Sequence, residues 1–165
     1  MLPIHTILHP TDFSKQSEFA FQVACSLARD YGAHLHVVHV MVPPLVVYGE
    51  GVLPVAAENF EEELRQKLYR LHGKDANVRV LHHLEEGQPV DQILHVAKET
   101  GCDLIVMGTH GRTGLGRVIM GSAAEGVIRK APCPVLTIKN PLPEMKPAAE
   151  DSEHKNSKVL QAVER

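Results

Sequence analysis

The segment from Gly108 to Lys130, GTHGRTGLGRVIMGSAAEGVIRK, holds the residues best suited to chemistry. Gly108 and Gly111 carry no Cβ, so a phosphate can approach their backbone N–H groups closely. Gly121 and Ser122 stand at the start of an expected helix, where free N–H groups and the positive dipole end favour an anion. The Ser122 hydroxyl adds a donor, and Arg112 and Arg117 are candidate sources of positive charge. Two common phosphate loops are excluded. The Walker loop finds its glycine spacing between Gly116 and Gly121, but Ser122 stands where its lysine is required. The dinucleotide fingerprint fails because Ile119 occupies the place of its third glycine. Glycine content alone suits a flexible surface loop equally well.

The elements that must position this segment follow from periodicity. Ile4 to His9 is a short apolar run ending at the turn signal Pro10-Thr11-Asp12. Ser14 is a helix N-cap candidate, and Ala20, Ala24, Leu27, Ala28 and Tyr31 then recur on one helical face. Gly32 sits where a C′ glycine belongs. His34 to Val42 is apolar at consecutive positions, as in a strand covered on both faces. Residues 43–56 are punctuated by proline and glycine and are expected to form a loop. Phe60, Leu64, Leu68 and Leu71 predict a second helix closed by Gly73, and Asn77 to His83 a third strand. Val90, Ile93, Leu94 and Ala97 predict a third helix closed by Gly101. Asp103 to Met107 reads as a fourth strand, Val127 and Ile128 lie on a fourth helix, and Pro134 to Ile138 is a fifth strand.

Strands alternating with helices predict βαβ units and a parallel sheet covered on both faces. Ligands of such sheets bind beyond the carboxyl ends of the strands, where strand order reverses. The chain has 165 residues, which matches about one domain at roughly 150 residues each. Its 17 basic and 20 acidic residues give a net charge of −3, against a general electrostatic nucleic-acid binder. Aromatic residues make up 4%, too few for a single-strand stacking platform. No apolar run is long enough to span a membrane, and the N-terminus lacks the pattern of a signal peptide. A cytoplasmic location is expected, without nucleic-acid or membrane partners. Residues 1–139 form the expected domain, and 140–165 a polar tail.

Other constellations point to less. His34 and His36 share a strand face while His39 points away, and His82 and His83 point to opposite faces. No metal site is expected from them, because zinc needs three or four convergent ligands. His110 lies inside the glycine segment and is a candidate ligand contact. Asp12 suits a turn or N-cap as well as an acid–base role. Cys25, Cys102 and Cys133 read as reduced structural thiols, with no His–acid partner nearby in sequence. No catalytic residue is assigned.

The spacing Gly108-x2-Gly111-x9-Gly121-Ser122 fits the pattern G-x2-G-x9-G-[ST], and in it the chain resembles the ATP-binding branch of the universal stress protein family. Four further landmarks resemble that family in the same order: Ile7 to Ser14, His39-Val40, Gly87-Gln88-Pro89 and Pro132 to Leu136. The resemblance implies a single doubly wound five-stranded parallel sheet sandwiched by helices, Rossmann-like and similar to the adenine-nucleotide α-hydrolases. It implies ATP at the carboxyl ends of the first and fourth strands, with Mg2+ as an optional companion. Carried over by position, Pro10, Thr11 and Asp12 would meet the adenosine part, and Val40 would pack on adenine beside Met107. Gly108, His110, Gly111, Gly121, Ser122 and Ala123 would surround ribose and phosphates. Ala124 departs from the pattern, standing where some ATP-binding members have a hydroxyl residue. The implied function is a stress-response sensor or signalling module read by a further protein partner. The implied assembly is a homodimer through Val135, Leu136, Thr137 and Ile138. The alternatives are a slow ATP-hydrolysing enzyme of the α-hydrolase-like fold and a dimeric scaffold without nucleotide.

Overall fold

The computed structural model describes residues 3–42, 45–48, 51–54, 58–73, 76–109 and 120–139. Among the described residues seven strands and four helices follow one another: β1 (Thr6–Pro10), α1 (Lys15–Tyr31), β2 (His34–Met41), β3 (Leu45–Tyr48), β4 (Gly51–Pro54), α2 (Glu58–Tyr69), β5 (Val80–Glu86), α3 (Pro89–Glu99), β6 (Leu104–Gly108), α4 (Ser122–Lys130) and β7 (Val135–Ile138). Five of the strands form one parallel sheet in the order β5-β2-β1-β6-β7. The chain therefore builds outward from β1 to β5, then crosses back to lay β6 on the other side of β1. This is the expected doubly wound α/β sheet.

Alternation within the strands divides the interior into two layers. Ile7, Leu35, Val37 and Val106 pack with Phe21, Ala24 and Ala28 of α1 and Leu68 of α2. Their neighbours Leu8, Val38, Ile105 and Met107 pack on the opposite face with Ile93, Val96, Ala124 and Val127 of α3 and α4. Strand residues buried on both faces explain the unbroken apolar runs in the sequence.

Helix α1 is delimited as expected. Ser14 Oγ accepts the Ser17 N–H at 3.2 Å. Gly32 adopts φ 65, a left-handed conformation, and the Ala33 N–H reaches back to the Ala28 carbonyl at 2.8 Å. Ala20, Ala24 and Ala28 of the expected face are buried and Leu27 packs beside them, with Ser17 and Phe21 added to the face; Tyr31, at the helix end, is 44% exposed.

Three other expectations are corrected. The loop at 43–56 contains the antiparallel pair β3 and β4, with Val46 opposite Leu53. Pro54 is the last residue of β4, where a missing N–H costs little, and the β-branched residues of the two strands pair. Helix α2 ends at Tyr69, before Gly73, in a tighter turn that bonds the Leu71 N–H to Leu68 O. The third sheet strand begins at Val80 instead of Asn77, because β2 dictates its register, pairing Leu35 with Val80 and Met41 with Glu86. Among the described residues no helix is long and apolar enough to cross a membrane. The tail 140–165 lies outside the described residues.

His9, fully buried in β1, donates from Nδ1 to Val106 O on β6 at 2.8 Å and lies against the Phe21 ring. Burial holds its imidazole down at about pKa 4, against the weaker opposing pull of the Val106 carbonyl and Asp12. An unfolded histidine titrates near 6.5, so between those values only the unfolded chain takes up the proton. This contribution to stability is complete above pH 6.5 and is lost as pH falls toward 4. Burial lowers His36 and His83 in the same direction. Urea unfolding should show His9 alone removing up to about 3 kcal/mol across that window. A midpoint that stays level from pH 7 to 5 would refute a neutral buried imidazole.

Candidate functional site

At the carboxyl ends of β1, β2 and β6 lies a cavity of about 200 Å3. It opens where strand order reverses between β1 and β6, because the helices that follow those strands, α1 and α4, pack on opposite faces of the sheet. Its apolar wall is made by Val38 and Val40 of β2, Ile93 of α3 and Met107 of β6. Pro10, Thr11 and Asp12 close one side, and Gly121 to Ala124 the other.

The turn after β1 is held from every direction. The Thr11 N–H donates to Val38 O at 2.8 Å, and the Thr11 carbonyl accepts from His39 Nδ1 at 2.7 Å. Thr11 Oγ1 accepts from Ser17 Oγ at 2.9 Å and from the Phe13 N–H at 3.2 Å. Asp12 Oδ1 accepts the Ser14 N–H at 3.0 Å, which orients the carboxylate at the mouth. Phe13 takes φ 62, the one non-glycine residue with positive φ among those described. Such a conformation costs about 1–3 kcal/mol and persists only when its surroundings over-determine it. Here the Phe13 ring packs on His39, 4.4 Å between centroids, and Lys67 Nζ lies 4.6 Å from its centre.

The opposite wall is the beginning of α4. The Gly121 N–H donates to Thr109 O at 2.7 Å, tying the helix start to the exit of β6. Gly121 is the N-cap and has no side chain to satisfy the first-turn N–H groups. Those groups and the dipole behind them supply a positive end to the cavity. Glu125, the acid of that turn, pairs with Arg129 at 2.8 Å and so leans down the helix. Gly126 lets α4 come close to α3, since a Cβ there would stand 2.7 Å from Val90 Cγ2. The close approach sets α4 beside Pro89, which also lines the cavity.

Nine of the eleven ligand positions carried over from sequence converge on this one cavity: Pro10, Thr11, Asp12, Val40, Met107, Gly108, Gly121, Ser122 and Ala123. His110 and Gly111 lie outside the described residues, as do Arg112 and Arg117. The sequence reading omitted Ser17, Val38, His39, Pro89, Ile93 and Thr109 from the site, and treated Ala124 only as a departure. Val38 was legible from the two-residue period that ends at Val40, and Ser17 as the polar position on a buried helical stripe. In the sequence His39 is only a strand histidine pointing away from His34 and His36 and half of the His39-Val40 landmark; in the structure its Nδ1 donates to the Thr11 carbonyl. Ala124 is buried against the second core layer, where its methyl packs with Val127 and Met107. Among the described residues no three His, Cys, Asp or Glu side chains converge to hold a metal.

Residues 3–139 match the model of the universal stress protein family. The universal stress protein MJ0531 of Methanocaldococcus jannaschii is 37% identical over 139 residues, covering 82% of each chain. The solved structure of MJ0577 from the same organism is 28% identical, has a TM-score of 0.65, and covers 86% of this chain and all of that one. A universal stress protein from Archaeoglobus fulgidus, solved in complex with dAMP, is 26% identical with a TM-score of 0.61, over 84% of this chain and all of the other. From its strand order to its ordered landmarks, this chain belongs to the universal stress protein family.

Proposed function

We propose that the cavity binds an adenine nucleotide, ATP foremost, and that the protein is a nucleotide-dependent stress-response module of the cytoplasm that does not depend on turnover. The observation that carries this reading is the pairing of an apolar slot with an uncapped helix N-terminus across one cavity. Val38, Val40, Ile93 and Met107 suit a flat purine ring. The first turn of α4 suits phosphate oxygens, and the Asp12 carboxylate suits ribose hydroxyls as an acceptor. The dAMP complex of the Archaeoglobus fulgidus relative supports the same ligand class. Mg2+ would arrive with the nucleotide.

Calorimetric titration with ATP and AMP tests the site. Gly121 has φ −74 and ψ 153, a conformation valine accepts, so Gly121→Val should fold. Its branched side chain would intrude on the phosphate approach and weaken ATP binding about 10–100-fold, that is about 1.4–2.7 kcal/mol. Unchanged affinity in the folded variant would sink the assignment.

Holding is favoured over cleaving. The Walker lysine is missing, Glu125 is engaged with Arg129, and Asp12 stands at the adenosine side. Phosphoryl transfer needs developing charge neutralised beside the transferred group. Phosphate release with saturating Mg-ATP should run far below the roughly 10 per second common for enzymes. Turnover of several per second, abolished by Asp12→Ala, would promote the slow-hydrolase alternative to the main reading.

The module is proposed to act as a homodimer through β7. Among the described residues that strand ends the sheet, and Leu136 is 38% exposed. Pro134 O accepts from Ile105 of β6 and Ile138 O from Thr109 just after it, so alternate backbone groups, those of Val135 and Thr137, face the other edge. Proline at Leu136 would remove an N–H that serves β6. Thr137→Pro removes one from the edge alone. Light scattering at micromolar concentration should give a dimer for the natural chain and a monomer for Thr137→Pro; a natural chain that is strictly monomeric refutes the pairing.

A further inference from the structure

At the opposite end of the sheet from the cavity, two cysteines meet. Cys102 precedes β6 and Cys133 precedes β7, and their sulfurs lie 3.4 Å apart. Neither is disulfide-bonded. Their backbones are fixed side by side. The Cys102 N–H is held by Ala97 O at 3.0 Å, and the Ile105 N–H donates to Pro134 O at 3.0 Å. Pro132 and Pro134 flank Cys133 and restrict its backbone further. A disulfide needs the sulfurs about 2.05 Å apart, a closure of about 1.4 Å, within reach of side-chain rotation.

We infer that Cys102 and Cys133 form a reversible dithiol–disulfide site, oxidised by hydrogen peroxide, that staples the base of β6 to the base of β7. The two thiols have distinct parts. Cys133 is half-buried and Cys102 almost wholly buried, so an oxidant reaches Cys133 first. Burial holds the Cys133 thiol above its ordinary range, and the contact with the Cys102 sulfur offsets that rise only in part. The Cys133 thiolate attacks one peroxide oxygen; the O–O bond breaks, water leaves after protonation, and Cys133 becomes a sulfenic acid. The Cys102 sulfur then attacks the Cys133 sulfur. The S–O bond breaks, the Cys102 proton departs with the hydroxide as a second water, and the S–S bond forms. Two thiols lose two electrons to one peroxide, which yields two waters.

Cys25 does not compete, since it packs from α1 into the other core layer. The Cys102–Cys133 bond would close a loop holding β6, the glycine segment and α4, and so restrict the unfolded chain. Burial pushes both thiols up, so the reaction is slow near neutral pH and accelerates as pH rises toward about 9.

The test treats the full chain with hydrogen peroxide, alkylates the remaining thiols and maps the peptides. The expected product is an intramolecular Cys102–Cys133 link, lighter by two hydrogens and reversed by dithiothreitol. Oxidation should raise the Tm by several degrees. Cys25→Ser should retain the rise, and Cys102→Ser and Cys133→Ser should lose it. Mapping on the natural chain decides the matter even if a serine variant folds poorly. Sulfinic acid at Cys133 with Cys102 unlinked, intermolecular linkage through Cys25, or unreacted thiols after long exposure at about pH 9 would each overturn the inference.

Discussion

The whole arrangement depends on β1 standing in the middle of a parallel sheet. Ile7 and Leu8 are both fully buried because helices cover both faces, and β2 and β6 flank the strand on either side. A central strand covered on two faces and paired on two edges has only one exit, beyond its carboxyl end. Helices α1 and α4, which follow β1 and β6, pack on opposite faces there, and the cavity lies between their starts.

Polar groups at that exit are costly unless satisfied, and their satisfaction is what gives the turn its shape. His9, Thr11, Ser17 and His39 are all buried. Thr11 serves as the hub, since its N–H, carbonyl and hydroxyl each take a partner, from β2, from His39 and from α1. Low dielectric strengthens such bonds and makes an unpartnered group expensive, so the network has few alternatives. That rigidity offsets the left-handed backbone at Phe13 and holds Asp12 at the mouth instead of letting it cap a helix freely.

The two ends of the sheet carry different chemistry for the same geometric reason. Parallel strands place all carboxyl ends together and all amino ends together. The carboxyl end collects turns, donors and a helix N-terminus. The amino end collects tight returns from α3 and α4, where Asp103 accepts the His5 and Thr6 N–H groups and Cys102 meets Cys133. Helix α4 joins them, beginning at the cavity and ending beside the thiols, and the small Gly126 sets how closely it lies on α3.

Local rules were enough for much of this. The Ser14 cap, the Gly32 stop, the alternation of helices and strands and the anion-suited start at Gly121 are properties of short stretches, legible because each depends on neighbours within a turn or two. The ordered landmarks carried the family and with it the list of cavity residues. Tertiary structure decided what depends on distant pairing. The start of the third sheet strand shifted to Val80 because β2, not local propensity, sets its register. The β3–β4 pair formed inside a segment whose prolines had suggested only loop. His39 gained its role from a carbonyl 28 residues away, and Cys102 its neighbour from one 31 residues away. No periodicity encodes such contacts, because they exist only once the sheet has brought the strands side by side.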